Sequence, residues 1–140
     1  MKASFQPGVT RVNHIAVDRA RTIGFMGEEA RTYATPSMIL DIEHTCRELI
    51  IEHADPGEDS VGMEVCVKHL APTLLGMTAE VTVKVTAVEG RKVQFEVAVK
   101  DEFDAVGSGT HTRFVVDKAK TVERIKAKAA RLAAKSGAAS

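Results

Sequence analysis

The chain has no tryptophan and one tyrosine, and aromatic residues make up 4% of its 140 positions. Basic residues are not interleaved with the few rings present, which argues against a stacking platform for nucleic acid. Cysteine is equally scarce. Cys46 and Cys66 form no CxxC and belong to no Cys/His cluster of zinc type, so neither a disulfide framework nor a structural metal is indicated. No apolar run approaches the roughly 20 residues that cross a bilayer. The opening Met-Lys-Ala-Ser-Phe-Gln-Pro-Gly has no apolar signal core, so a cytoplasmic location is expected. Internal repeats are absent, and the one low-complexity stretch is the small-residue end from Ser136 to Ser140.

What is present suits one globular domain over residues 1–140. Hydrophobic residues make up 44% and charged residues 27%, and the length is sufficient for a core without disulfides or metal. Net charge is zero but unevenly placed. Residues 118–140 carry seven Lys/Arg against Glu123 alone, +6, while the rest holds 12 basic and 18 acidic residues, −6. A basic tail admits a nucleic-acid reading. A solvated helix face is the simpler one, with Val122, Ile125, Ala129 and Leu132 as its packing stripe.

The order of elements predicts the fold class. A first strand is expected around Arg11 to Asp18, then an irregular stretch containing Gly24 and Gly27. From Thr35 to about Glu52 the apolar residues Met38, Ile39, Ile42, Cys46, Leu49 and Ile50 recur at helical spacing, with Thr35 as candidate N-cap and Pro36 at the first helical position. Asp55 to Asp59 reads as a turn. Four strands follow: one ending at His69, one with Val81, Val83 and Val85 inward, one with Val93, Phe95, Val97 and Val99 inward, and one from about Ala105 to Asp117. Glu89-Gly90-Arg91 reads as a hairpin turn between the middle two. Strands grouped after one long helix imply an α+β fold with an antiparallel sheet covering that helix. Open strand edges, and the side-chain-poor Gly107-Ser108-Gly109, favour close approach of another chain or a ligand, and a homodimer would cover them.

Two ionisable residues stand where apolar ones are expected. Val61, Met63, Val65 and Val67 alternate with polar neighbours, as on a strand with one buried face, and His69 is next on that face. Glu43 lies four residues after Ile39, three before Cys46 and seven before Ile50, on the apolar stripe of the helix. Each has an ordinary reading: a satisfied core histidine, and a rim glutamate whose head reaches water. Each also has a functional one. A carboxylate in a dry pocket suits general-base work, and a histidine on the facing strand suits proton transfer. A Cys46 nucleophile using His69 is less favoured, because nothing nearby would lower the thiol pKa.

These residues fall into a pattern. Ala34-Thr35-Pro36-Ser37-Met38 leads to Glu43. Gly62 leads through Val65-Cys66-Val67-Lys68 to His69. Gly107-Ser108-Gly109-Thr110-His111 is followed by Arg113. The spacings, eight from Thr35 to Glu43 and seven from Gly62 to His69, resemble those of the hot-dog fold acyl-CoA thioesterase superfamily, and most closely the fluoroacetyl-CoA thioesterase type, over residues 30 to 117. The resemblance implies a hot-dog fold, with an antiparallel sheet wrapped around one long central helix and a C-terminal helix added. It implies hydrolysis of an acyl-CoA thioester by Thr35, Glu43 and His69. Glu43 would be nucleophile or general base, Thr35 would orient it or the carbonyl, and His69 would polarise or donate a proton. Gly62 would help hold the oxyanion, and Arg113 would contact the pantetheine or phosphate part of CoA. No cofactor or metal is implied beyond the CoA ester as substrate. The expected assembly is a homodimer, with a tetramer left open, and no nucleic-acid or membrane partner is expected. The segment from Phe25 to Tyr33 carries Glu28 and Glu29 where the fluoroacetyl-specific enzymes place an aromatic lid, so the chemistry transfers more readily than a fluorinated substrate. Three rival functions stay open from sequence: a non-catalytic acyl-CoA-binding module on the same fold, a hydratase of the same fold class, and nucleic-acid binding through the terminal helix.

Overall fold

The computed structural model describes residues 1–139, with side chains through residue 137. The valine-rich runs form the centre of a five-stranded antiparallel sheet. Strand β1 is Thr10–Ala16, followed by short strands β2 (Thr22–Ile23) and β3 (Thr32–Tyr33), which pair with each other. Helix α1 is Thr35–Glu52. Strands β4 (Glu58–His69), β5 (Thr78–Glu89), β6 (Lys92–Lys100) and β7 (Ala105–Asp117) follow, and helix α2 is Lys118–Ala139. The sheet order is β1-β5-β6-β7-β4, which leaves β1 and β4 as edges. Gly90 supports the tight β5–β6 turn by adopting a φ of 62°, the left-handed region in which a side chain would be strained.

Period-two alternation places Val81, Val83 and Val85 opposite Val99, Val97 and Phe95, all facing α1. Met38, Ile42, Cys46, Leu49 and Ile50 on the helix are almost fully buried against them. Each such side chain contributes about 1.5–3 kcal/mol, and together they seat the helix across the sheet.

Strand β4 departs from simple alternation. Its pairing with β7 runs Gly62 to Arg113 and then Glu64 to Thr112, so Met63 has no partner and forms a bulge. Before the bulge Ser60 and Gly62 face the helix; after it Val65, Val67 and His69 do. Val61 and Met63 are therefore outside the core at 44% and 60% exposure, contrary to the expected buried face. The cause is one extra residue that shifts the phase of the strand. Gly109 also has a different partner from the one expected. A Cβ there would lie 2.0 Å from the Cys66 carbonyl oxygen, so the close approach is made by the neighbouring strand β4.

Helix α2 carries the second departure. Val122, Ile125 and Leu132 are 41%, 63% and 66% exposed, and Ala129 is exposed too. The expected packing stripe thus covers nothing within this chain; only the first turn, through the half-buried Thr121, sits against the end of β7. Among the described residues no helix is long and apolar enough to cross a membrane.

Candidate active site

The start of α1 fixes Thr35. Ala34 is the N-cap with extended backbone (φ −72°, ψ 139°), and no side chain caps the helix. Thr35 is therefore the first helical residue, and its hydroxyl is free for another role than the expected cap. Its Oγ1 lies 2.7 Å from His69 Nδ1 at the end of β4. His69 Nε2 is buried and has no hydrogen-bond partner among the described residues, an uncommon state for a buried polar atom. The pair opens onto a cleft of about 340 Å³ lined by Ile23, Thr32, Tyr33, Leu70, Ala71 and Pro72.

Tyr33 is held beside it by groups that sequence reasoning passed over. Its ring meets His69 edge-on at 6.5 Å. Its hydroxyl donates to Asp41 Oδ2 at 2.5 Å, and Arg21 Nε donates to the same oxygen at 3.0 Å. Asp41 is buried within α1. Burial first, and the Asp41 carboxylate second, push the Tyr33 hydroxyl pKa upward, so it stays a donor. The available signal was an aspartate three residues after Met38 and one before Ile42, on the buried side of the helix.

Glu43 belongs to a second cluster. A Cβ on Gly62 would stand 2.8 Å from Glu43 Oε1, 3.4 Å from Arg113 Nη1 and 3.5 Å from His111 Cε1. The carboxylate thus lies directly over Gly62 and beside the Arg113 guanidinium. Glu43 is half-buried, so the site is more open than a dry pocket. Arg113 is 5% exposed; its Nε donates to Ser60 Oγ at 2.8 Å and its Nη2 to the Ser60 carbonyl at 3.0 Å. It is buried and faces inward beside Glu43, in place of the exposed position that a contact with CoA phosphates would need. Burial lowers its pKa, with the Glu43 charge as the main opposing influence. Arginine only donates, so His111 Nε2 accepts from Arg113 Nη1 at 3.3 Å, and His111 Nδ1–H donates to the Glu64 carbonyl at 2.7 Å. His111 is a neutral strut in this arrangement, its pKa lowered chiefly by burial.

The clusters are separate within one chain. Eight residues of helix put Thr35 and Glu43 about 12 Å apart along α1, so Thr35 and His69 meet while Glu43 joins Gly62, His111 and Arg113. The Cys46 thiol is fully buried and its pKa is raised by that burial, which removes it as a nucleophile. Among the described residues no group of three His, Cys, Asp or Glu is arranged to hold a metal ion.

The model of the fluoroacetyl-CoA-specific thioesterase family matches residues 17–119, which span both clusters and every strand of the five-stranded sheet except β1. The chain belongs to that family. A curated fluoroacetyl-CoA thioesterase from Streptantibioticus cattleyicolor is 38% identical over 89 residues, 64% of this chain and 64% of that protein, just under two thirds of its length. A solved structure of a fluoroacetyl-CoA thioesterase superposes with a TM-score of 0.82 at 30% identity, over 89% of this chain and 98% of the other. A thioesterase superfamily member from Thermus thermophilus superposes at 0.86 and 27% identity, over 94% and 98%. The fold is the hot-dog fold, as the expected helix and sheet order implied. The segment ahead of Thr35 is held by ion pairs. Glu28 is clamped by Arg19 at 2.6 Å and Arg31 at 2.9 Å, its pKa drawn down to about 2 chiefly by the Arg19 hydrogen bond. Phe25 and Met26 point into solvent.

Proposed function

We propose that this thioesterase hydrolyses a small acyl-CoA as a homodimer, in which Thr35 and His69 of one copy meet Glu43 and Gly62 of the other. The observation that supports it is the division of the site into two halves at the two ends of an exposed edge strand. An edge strand is a template for pairing with another chain. With Met63 bulged out, a two-fold axis at Cys66 puts Val65 opposite Val67, Glu64 opposite Lys68, and Gly62 opposite His69. Every pair then has matching facing, and the Glu64–Lys68 pair, made twice by the two-fold axis, is of opposite charge. Leu40, Ile51, Val61 and Met63 supply exposed apolar surface on β4 and on the side of α1 that carries Glu43.

In that arrangement the thioester carbonyl lies between Glu43 and His69. Thr35 donates its hydroxyl proton to His69 Nδ1, which keeps the ring hydrogen on the unpartnered Nε2. From there it is given to the carbonyl oxygen as charge develops, and then to the departing CoA sulfur. Glu43 either attacks the carbonyl carbon, expelling the thiolate and leaving an anhydride that water then hydrolyses, or activates the water that attacks directly; by both routes the products are the free acid and CoA thiol. Gly62 leaves space for the carbonyl beside the carboxylate and offers backbone toward the oxyanion. The cleft of about 340 Å³ must accept both the acyl group and the start of the pantetheine arm, which favours a small acyl group. No cofactor is needed for these steps. The free Cys46 and Cys66 fit a reducing, cytoplasmic setting.

Release of CoA thiol from a panel of short, branched and aromatic acyl-CoAs tests the proposal. Glu43→Gln and His69→Ala should each lower kcat by about 10²–10⁴ while leaving the fold intact. Binding of acyl-CoAs without turnover by the wild type would instead make the protein a receptor. Mass spectrometry of a slow variant separates direct attack, which leaves an acyl adduct, from water activation, which does not.

A further inference from the structure

The hydrolase reading leaves the charge asymmetry unexplained. Outside residues 118–140 the chain carries −6, yet its substrate is polyanionic through the CoA phosphates. The inward-facing Arg113, tied to Ser60 and beside Glu43, is not available to them. One strand row further from the reaction centre, Val115 shares the sheet face of Arg113, since residues two apart on a strand point the same way, and its backbone N–H donates to the Arg91 carbonyl in the β5–β6 turn at 2.8 Å. There the end of the β6–β7 pair and the first turns of α2 enclose a cavity of about 210 Å³, lined by Arg91, Val115, Asp117, Lys120, Thr121 and Arg124.

We propose that this cavity is the binding site for the phosphate groups of CoA, with Arg91, Lys120 and Arg124 as their partners. The proposal rests on the hydrolase reading for its ligand. Lys120 and Arg124 are one helical turn apart and so project together. Neither head group is paired with a carboxylate among the described residues. The acids nearby are already committed. Asp117 Oδ1 accepts the Lys120 backbone N–H at 3.0 Å, capping α2. Glu58 accepts from the N-terminal ammonium at 2.6 Å and lies 3.7 Å from Arg91 Nη1. Lys128 and Arg131 continue the same basic side of α2, extending a positive field from an otherwise acidic body and steering a polyanion toward the cavity. The exposed helix thereby acquires a role without packing against its own sheet. The cavity adjoins the Ser60–Gly62 end of β4, since Asp117, Val115 and Arg113 pair with Glu58, Ser60 and Gly62, so phosphates bound here lie on the Glu43 side of the site.

The test compares Arg91→Ala/Lys120→Ala/Arg124→Ala with wild type on a short acyl-CoA and on the same acyl group as an N-acetylcysteamine thioester, which lacks the phosphates. The expected result is a KM for the CoA ester raised about tenfold or more, a flattened salt dependence, and no change in either parameter for the truncated ester. An unchanged KM for the CoA ester, or equal loss on both esters, would overturn the proposal. If wild type hydrolyses neither ester, the hydrolase reading fails by itself. Titration of adenosine 3′,5′-bisphosphate then decides the cavity separately, with saturable binding to wild type that the triple variant loses as the supporting result and equal or absent binding as the opposing one.

Discussion

Replacing Gly62 with alanine is the sharpest test of how the Glu43 half of the site is built. The added Cβ would stand 2.8 Å from Glu43 Oε1, whereas ordinary contacts begin at 3.4 Å. The carboxylate must withdraw by about 0.6 Å, and it can, because it is the far end of a flexible side chain. The other two neighbours, Arg113 Nη1 at 3.4 Å and His111 Cε1 at 3.5 Å, already lie at contact distance and need not move. Folding should therefore be nearly unaffected, while the reacting oxygen is displaced by a large fraction of an ångström. Displacements of about 1 Å cost on the order of 10² in rate, so a fall of about tenfold to a hundredfold in kcat is expected, with Tm within about 2 °C of wild type. Thiol-release kinetics beside a thermal melt make the comparison. Full activity in a well-folded Gly62→Ala protein would refute the idea that Glu43 acts from above this glycine. Loss of activity accompanied by a collapse of Tm would show that the glycine serves the sheet rather than the site.

Three further outcomes follow from the same geometry. A two-fold axis at Cys66 brings two Cys66 Cα atoms to the separation of directly opposed strand residues, within disulfide range, so mild oxidation should yield a covalent dimer on non-reducing gels that Cys66→Ser abolishes; wild-type protein that stays monomeric on those gels would contradict the register. His111 is held neutral by burial, so its folded pKa lies below the unfolded value near 6.5 and the unfolded chain binds the extra proton. Its contribution to stability is complete above about pH 6.5 and declines as pH falls below it, so Tm should drop between pH 7.5 and 5.5 in wild type and drop less in His111→Gln; parallel curves would count against it. Asp41→Ala strands the buried Tyr33 hydroxyl at a cost of about 1–3 kcal/mol in urea unfolding, and adding Tyr33→Phe should recover part of the loss by removing the orphaned donor; no recovery would place the cost elsewhere.

How far the sequence could be read depended on whether the controlling interactions were local. Helix α1 was legible end to end, because the stripe from Met38 to Ile50 and Pro36 near its start act within a few turns. Strand β7 and the β5–β6 hairpin were legible for the same reason. The bulge at Met63 was not, since it arises from the pairing of β4 with β7, and nothing in Val-Gly-Met-Glu-Val announces which residue will lack a partner. Thr35 was expected as the cap but is the first helical residue and meets His69 instead, because the N-cap position turns on backbone angles one residue earlier. Arg113 looked like a solvated strand residue or a phosphate contact; its burial depends on Ser60, Glu43 and His111, which come from two other elements and a residue two away. The Tyr33–Asp41–Arg21 network was missed because its members lie 8 and 20 residues apart and meet only once α1 has packed.

The bulge has a meaning for the spacing of the site itself. Gly62 and His69 are seven residues apart, an odd number, and an unbroken strand would send them to opposite sides of the sheet. They share a face because Met63 adds half a period between them. A spacing of seven between a glycine and a histidine expected to share one face of a strand is therefore a readable sign, in a bare sequence, that the strand carries one residue too many. Deleting Met63 would leave every site residue present and turn Gly62, the floor beneath Glu43, toward the opposite side of the protein.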